Sequence, residues 1–138
     1  RQQRAEAGEG FGVFPRVSDA LEFARNTRVL LLSHQPSGIE LDVSFAGLSF
    51  ERELIERATT RTLKGVSFRV ATAEDILIMK ALALRPRDVA DMESILTVAP
   101  ALDLERVRRT IAEFSEALET RDFAAEFEAI AKRVRREA

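Results

Sequence analysis

The chain has 138 residues, with 21 basic and 23 acidic side chains, a net charge of −2 and no cysteine. This length is that of one ordinary domain, and the nearly balanced charge gives no overall cationic field that would concentrate nucleic acid. Disulfides and thiolate metal sites are excluded, and since no apolar run approaches the roughly 20 residues that span a bilayer, we expect a cytoplasmic protein without membrane insertion.

The N-terminal part of the chain has little periodicity. Residues 1–17 combine glycines with a proline, which predicts a loop or an edge strand. Ser18 is placed to cap a short helix that runs to Asn26. The segment Val29–Leu32 is too short for a helix and does not alternate, which favours a strand buried on both faces.

The clearest strand of the sequence follows a Pro-Ser-Gly turn and begins at Ile39. Strict alternation predicts one apolar face, formed by Ile39, Leu41, Val43 and Phe45, and one polar face, formed by Glu40, Asp42 and Ser44. The short turn makes this strand an antiparallel partner of the strand before it.

Three helices and one further strand are predicted in the middle of the chain. Ser49 begins a helix that ends near Ala58, and 63–70 is predicted as a strand interrupted by Lys64-Gly65. Thr72 and Asp75 form a cap for a second helix that ends near Leu84. Pro86 restarts a third helix at its first turn, and Pro100 ends it.

Apolar residues beyond Asp103 recur at alternating steps of three and four, which predicts two amphipathic helices. The break at Glu119–Arg121 makes them a helical hairpin that either covers the sheet domain or serves dimerisation or partner binding. The predicted fold is α+β: residues 1–100 form a small mixed or antiparallel sheet of about three strands packed by helices, and residues 101–138 form the C-terminal helical hairpin packed on it.

Two polar residues have both a plain structural explanation and a chemical one. Asp42 belongs either to a solvated outer face or to a group of carboxylates that holds Mg²⁺. Lys80, surrounded by apolar residues, either extends to the domain edge or supplies a point charge for a triphosphate. His34 has no acid in metal-ligand spacing and is predicted as a strand-end residue.

A charged group surrounds the start of the third helix. Arg85, Arg87, Asp88 and Asp91 stand there together, and an Arg87–Asp91 pair four residues apart would stabilise the helix. A salt-bridged helix cap is by itself a sufficient explanation for this pattern.

Three motifs carry a resemblance to a known family. They are Gly-Ile-Glu-Leu-Asp-Val (38–43), Val-Ala-Thr-Ala-Glu-Asp-Ile-Leu-Ile-Met-Lys-Ala-Leu-Ala (70–83) and Arg-Pro-Arg-Asp-Val-Ala-Asp (85–91). The segment 39–96 resembles nucleotidyltransferases of the DNA polymerase β-like superfamily, and most closely the abortive-infection toxin branch and its bacterial relatives.

The resemblance implies a role for each matching residue. Asp42 would complete a carboxylate triad around Mg²⁺ and assist deprotonation of the acceptor hydroxyl. Lys80 would contact the phosphates of a nucleoside triphosphate, Asp88 and Asp91 would order the site, and Arg85 and Arg87 would lie near the phosphates or the acceptor. The acceptor would be an RNA end, a protein or a small molecule, and an antitoxin-like protein would be a partner.

The family's Gly-Ser turn and Asp-x-Asp strand have no match in residues 1–37. We therefore expect one of two situations. Either these elements lie upstream of Arg1 and the protein is an Mg²⁺-dependent nucleotidyltransferase, with a possible toxin or phage-defence role, or the chain is an inactive relative that serves as a regulatory or partner-binding module.

Overall fold

The computed structural model describes residues 10–99 and 101–137, and within them it has the expected α+β composition. The elements in chain order are β1 (Val13–Pro15), α1 (Ala20–Thr27), β2 (Val29–His34), β3 (Ile39–Ser44), α2 (Ser49–Arg57), β4 (Thr59–Leu63), β5 (Val66–Val70), α3 (Ala73–Ala83), α4 (Pro86–Val98), α5 (Leu104–Leu118) and α6 (Phe123–Glu137). The chain divides within α2 into two compact units, Arg1–Glu53 and Leu54–Ala138. No helix of the described ranges is long and apolar enough to cross a membrane.

The first unit contains an antiparallel sheet in the order β1-β2-β3. The predicted antiparallel pairing of β2 with β3 is confirmed, and Leu31 lies opposite Asp42 in the register. The edge strand expected within 1–17 is β1, whereas residues 1–9 of that prediction lie outside the described part of the chain.

Two details of the first unit differ from the sequence prediction. The strand predicted as buried on both faces is half-buried along its whole length, because α1, which contacts it, is a helix of only eight residues. The predicted cap at Ser18 is also wrong. The helix begins one residue later than that cap requires, so Asp19 takes the N-cap position, without a side-chain hydrogen bond.

The second unit begins with a two-stranded hairpin, which corrects the prediction of one interrupted strand at 63–70. Lys64 and Gly65 form the turn between β4 and β5, with φ angles of 49° and 81°. Two successive residues with positive φ match the right-handed twist of a hairpin, so the Lys-Gly pair reverses the chain. The described residues accordingly form five strands in two sheets rather than about three strands in one sheet.

The core of the second unit is helical. Thr72 caps α3 as predicted, since its hydroxyl accepts a hydrogen bond from the backbone N–H of Asp75 at 3.2 Å. The predicted helical hairpin is confirmed as α5 and α6, which pack against α3. The helices α3, α4, α5 and α6 each contribute fully buried side chains to this core. They are Leu77, Ile78, Met92, Val107, Ile111 and Phe127.

The connection between α3 and α4 is short and sharply defined. Leu84 adopts the left-handed conformation and ends α3, and Pro86 is the first residue of α4, as the sequence predicts. The helix α4 ends at Val98, and Pro100, which was expected to end it, lies outside the described residues.

Candidate functional site

Asp42 lies on the polar face of β3 in a cross-strand row with two other residues. It is opposite Leu31 of β2, and the carbonyl oxygen of Leu31 accepts a hydrogen bond from the backbone N–H of Arg16 at 2.9 Å. Because residues directly opposite each other in an antiparallel pair project from the same face, Arg16 and Asp42 share one side of the sheet.

The guanidinium of Arg16 crosses β2 and binds both acidic residues of β3. Its Nη1 lies 3.0 Å from Oε2 of Glu40, and its Nη2 donates a hydrogen bond to Oδ1 of Asp42. The Arg16 side chain is 25% exposed, whereas those of Glu40 and Asp42 are 67% and 62% exposed. The carboxylates are therefore open to solvent, while the arginine that pairs with them is largely covered.

The paired carboxylates of β3 fit a magnesium site by their chemistry. Mg²⁺ is held in nucleotide enzymes by one or two carboxylates together with substrate phosphates and water. Glu40 and Asp42 are close enough to bind one cationic group, that of Arg16. Within residues 10–99 and 101–137, no three acidic or histidine side chains are grouped closely enough to hold a metal ion.

In the second unit, Lys80 is held by two aspartates of α4. Its Nζ lies 3.1 Å from Oδ1 of Asp88 and 2.6 Å from Oδ2 of Asp91. Residues three apart share one face of a helix, so both carboxylates of α4 point toward the last turn of α3. We call Lys80, Arg85, Asp88 and Asp91 the lysine cluster.

Asp88 is the buried centre of the lysine cluster and is only 1% exposed. It accepts hydrogen bonds from the backbone N–H and the Nε of Arg85, at 3.1 and 2.6 Å, in addition to its pairing with Lys80. The Arg85 side chain, followed by the Lys80 ammonium and the Arg85 backbone N–H, holds the pKa of Asp88 well below its usual range, although burial acts in the opposite direction. Asp88 is thus ionised at neutral pH.

The ammonium of Lys80 is also kept in its charged form. The hydrogen bond to Asp91 raises the pKa of Lys80, burial acts to lower it, and Asp88 contributes to the upward shift. Arg87 lies in the first turn of α4, is exposed, and makes no ion pair with the described residues. The predicted i,i+4 ion pair between Arg87 and Asp91 is therefore not formed. Asp91 binds Lys80 instead.

Asp75 forms a second buried ionic group, which sequence reasoning reduced to a helix cap. Its carboxylate accepts hydrogen bonds from Thr72 at 2.8 Å, from Arg57 at 3.0 and 3.1 Å, and from Arg106 at 2.9 Å. Burial acts to raise the pKa of Asp75, but these hydrogen bonds together hold it below its ordinary value. The carboxylate therefore joins the end of α2 and the first turn of α5 to the start of α3.

The predicted site residues fall into the two units as follows. The lysine cluster lies in the second unit, and Arg87 is close to it in sequence on α4. Asp42 lies in the first unit, where Arg16 binds both Asp42 and Glu40. Sequence reasoning missed Arg16 and the buried role of Asp75. Their partners are 18 to 31 residues away, and no local pattern marks such pairings.

A family model covers Asp42, Glu40 and the lysine cluster in sequence. The family described as nucleotidyl transferase of unknown function (DUF2204) matches residues 31–136, from within β2 to the last turns of α6. No curated protein matches the chain. The matched range includes Asp42 and the whole lysine cluster within a single family pattern. The chain belongs to this nucleotidyl transferase family.

Proposed function

We propose that this protein transfers a nucleoside monophosphate from a nucleoside triphosphate to a hydroxyl acceptor. Membership of a nucleotidyl transferase family supports the reaction class. The observation that carries the proposal is the lysine cluster, where the Lys80 side chain remains 26% exposed although two carboxylates hold its ammonium group in place. A cation that is fixed and still reachable from solvent is suited to the oxygens of a triphosphate.

The charge around Lys80 favours a polyphosphate. Lys80, Arg85 and Arg87 supply three positive charges against the two carboxylates of Asp88 and Asp91. The Arg85 side chain is 74% exposed although its Nε is bound to Asp88, and Arg87 makes no ion pair with the described residues. Both guanidiniums therefore have donors available for phosphate oxygens.

The reaction assigned to the site is an in-line displacement. The acceptor oxygen attacks the α-phosphorus, the bond from that phosphorus to the bridging oxygen of the β-phosphate breaks, and pyrophosphate leaves. We assign to Asp42, whose carboxylate is exposed, the uptake of the proton from the acceptor hydroxyl. Bound Mg²⁺, held by Asp42 with Glu40, would neutralise phosphate charge and lower the pKa of the attacking hydroxyl.

The acceptor and the biological setting follow from the resemblance of residues 39–96 to the abortive-infection branch. We assign the acceptor hydroxyl to an RNA end, a protein or a small molecule. We also place the activity in a toxin or phage-defence system with an antitoxin-like partner. These finer assignments extend the family description, which itself names no acceptor.

The test is transfer of label from α-³²P nucleoside triphosphates to total RNA and total protein in the presence of Mg²⁺. The whole gene product is compared with its Asp42→Asn and Lys80→Gln variants, and with the exposed controls Glu22→Gln and Lys132→Gln. We expect the label transferred by the wild-type protein to fall by about 100-fold or more in the first two variants, because one removes the carboxylate assigned to the acceptor proton and the cation, and the other removes the charge assigned to the triphosphate. Absence of transfer by the folded wild-type protein would instead support the partner-binding module.

A further inference from the structure

Arg16 binds the two carboxylates of β3 with a single guanidinium. Its backbone is fixed to β2 by the hydrogen bond to Leu31, and its side chain reaches one oxygen of Glu40 and one oxygen of Asp42. The side chain of Arg16 is less exposed than those of Glu40 and Asp42, at 25% against 67% and 62%. It supplies one positive charge to two negative ones.

A guanidinium and a divalent cation make conflicting demands on these carboxylates. The guanidinium takes oxygen lone pairs through directed hydrogen bonds, whereas a metal ion takes the same lone pairs by coordination. A positive charge within a few ångströms of the site also repels an arriving cation. Each carboxylate keeps a second oxygen that Arg16 does not bind in the structure.

We propose that Arg16 is a resident counter-ion that competes with the divalent cation for Glu40 and Asp42. This inference rests on the proposed function, since it takes the magnesium assignment of Asp42 from there. It also makes Glu40 the second carboxylate of the site, a role that sequence reasoning did not give it. With one guanidinium bound, the pair holds a divalent cation weakly on its own.

A purely structural role of Arg16, as a clamp from β1 to β3, predicts a different result. Loss of a clamp lowers the stability of the sheet and leaves the affinity for the cation unchanged or reduced. Loss of a competitor raises that affinity. The direction of the change in cation affinity therefore separates the two roles.

The experiment measures Mn²⁺ binding by the electron paramagnetic resonance signal of the free ion, without nucleotide and without turnover. Arg16→Gln is expected to lower the Kd for Mn²⁺ by roughly fivefold, since an exposed ion pair is worth up to about 1 kcal/mol. Arg16→Lys, which keeps the charge, should lie within about twofold of the wild-type protein. Arg25→Gln is the matched control, because it removes an exposed guanidinium from α1 in the same unit.

A second measurement uses the unaltered protein and does not depend on the folding of a variant. Mg²⁺ is titrated while the side-chain Nε–H resonance of Arg16 is followed by NMR, with the resonance of Arg25 as the internal reference. We expect the Arg16 signal to shift with saturation as the guanidinium leaves the carboxylates. An Arg16 signal that stays in place through saturating Mg²⁺ would overturn the inference.

Asp42→Asn distinguishes failure of this inference from failure of the proposed function. If Asp42→Asn weakens Mn²⁺ binding but Arg16→Gln leaves it unchanged or weaker, the counter-ion role is overturned and the magnesium assignment stands. If Asp42→Asn leaves Mn²⁺ binding unchanged, the magnesium assignment itself is overturned, and the role of Arg16 with it.

Discussion

The ammonium nitrogen of Lys80 lies 2.6 Å from Oδ2 of Asp91, which connects the last turn of α3 to the second turn of α4. The sharp connection through Leu84 and Pro86 brings these helices together, and Asp88 adds a second, buried contact to the same lysine. The lysine is therefore fixed in position before any ligand arrives. Fixing a cation in advance reduces the entropy lost when an anion binds to it.

Replacing Lys80 by methionine tests whether this fixed charge binds nucleotide. We expect the Kd for a non-hydrolysable nucleoside triphosphate to rise by about tenfold, because a charge-assisted hydrogen bond is worth about 1.5 kcal/mol. Lys80→Arg keeps the charge and should lose less affinity. The measurement is isothermal titration calorimetry, with Lys132→Met as the control on exposed lysines; equal Kd values for Lys80→Met and the control would contradict the assignment.

The buried carboxylate of Asp75 gives a prediction for stability. Asp75→Ala removes the common partner of Arg57 and Arg106, whose side chains are 31% and 22% exposed. We expect the free energy of unfolding to fall by about 3 kcal/mol, as for other broken buried ion pairs. Urea denaturation measures this change, and the exposed Glu113→Gln variant should lie within about 0.5 kcal/mol of the wild-type protein.

A cycle with Arg106→Gln extends the Asp75 prediction. Arg106→Gln alone should cost less than Asp75→Ala, because Arg57 and Thr72 still bind the carboxylate. The double variant should lose less free energy of unfolding than the sum of the losses of the two single variants, because the interaction between Asp75 and Arg106 is already absent in each of them. Full additivity would show that Asp75 and Arg106 do not stabilise each other.

Local features of the fold could be predicted because they depend on residues a few positions apart. The Thr72 cap, the start of α4 at Pro86 and the span of β3 each follow from neighbouring residues along the chain. The alternation of β3 does not correspond to one buried and one exposed face, because all six residues of the strand are exposed, including Ile39, Leu41 and Val43 of the predicted apolar face. The sequence marks the Lys64-Gly65 pair only as an interruption of a strand. A non-glycine residue at positive φ is uncommon, so the sequence alone does not indicate that Lys64 takes part in a chain reversal.

The sequence predicts which motifs contribute residues to the candidate site, but not which of these residues contact one another. Sequence reasoning placed Lys80, Asp88 and Asp91 in one motif group, but their mutual contact depends on how α3 and α4 pack. The pairing of Arg16 with Asp42 depends on a cross-strand register, which joins residues 26 positions apart. Such pairings are fixed by tertiary structure, and an isolated arginine after an edge strand gives no sign of its partner.

The lowered pKa values of Asp75 and Asp88 predict how stability depends on pH. A carboxyl whose folded pKa is below its ordinary value of 3.8 contributes stability that is present above that pH and is lost as pH falls below it. We therefore expect the free energy of unfolding to decrease from about pH 4 downward. Asp88→Asn should show a shallower decrease in urea denaturation over this range, and a slope equal to that of Glu113→Gln would contradict the role of Asp88.

The β4–β5 turn offers a test of the corrected hairpin. Gly65 has a φ of 81°, and a Cβ added there would meet no atom within 4 Å, so any cost of Gly65→Ala comes from the backbone conformation. We expect a loss of about 1 kcal/mol, the cost of placing an ordinary residue in the left-handed region. Gly10→Ala is the matched control, because it also meets no atom within 4 Å and its φ lies outside the left-handed region. Urea denaturation compares the two, and Gly65→Asn should recover part of the loss, since asparagine tolerates this conformation. An equal stability of Gly65→Ala and Gly10→Ala would contradict a left-handed backbone conformation at Gly65.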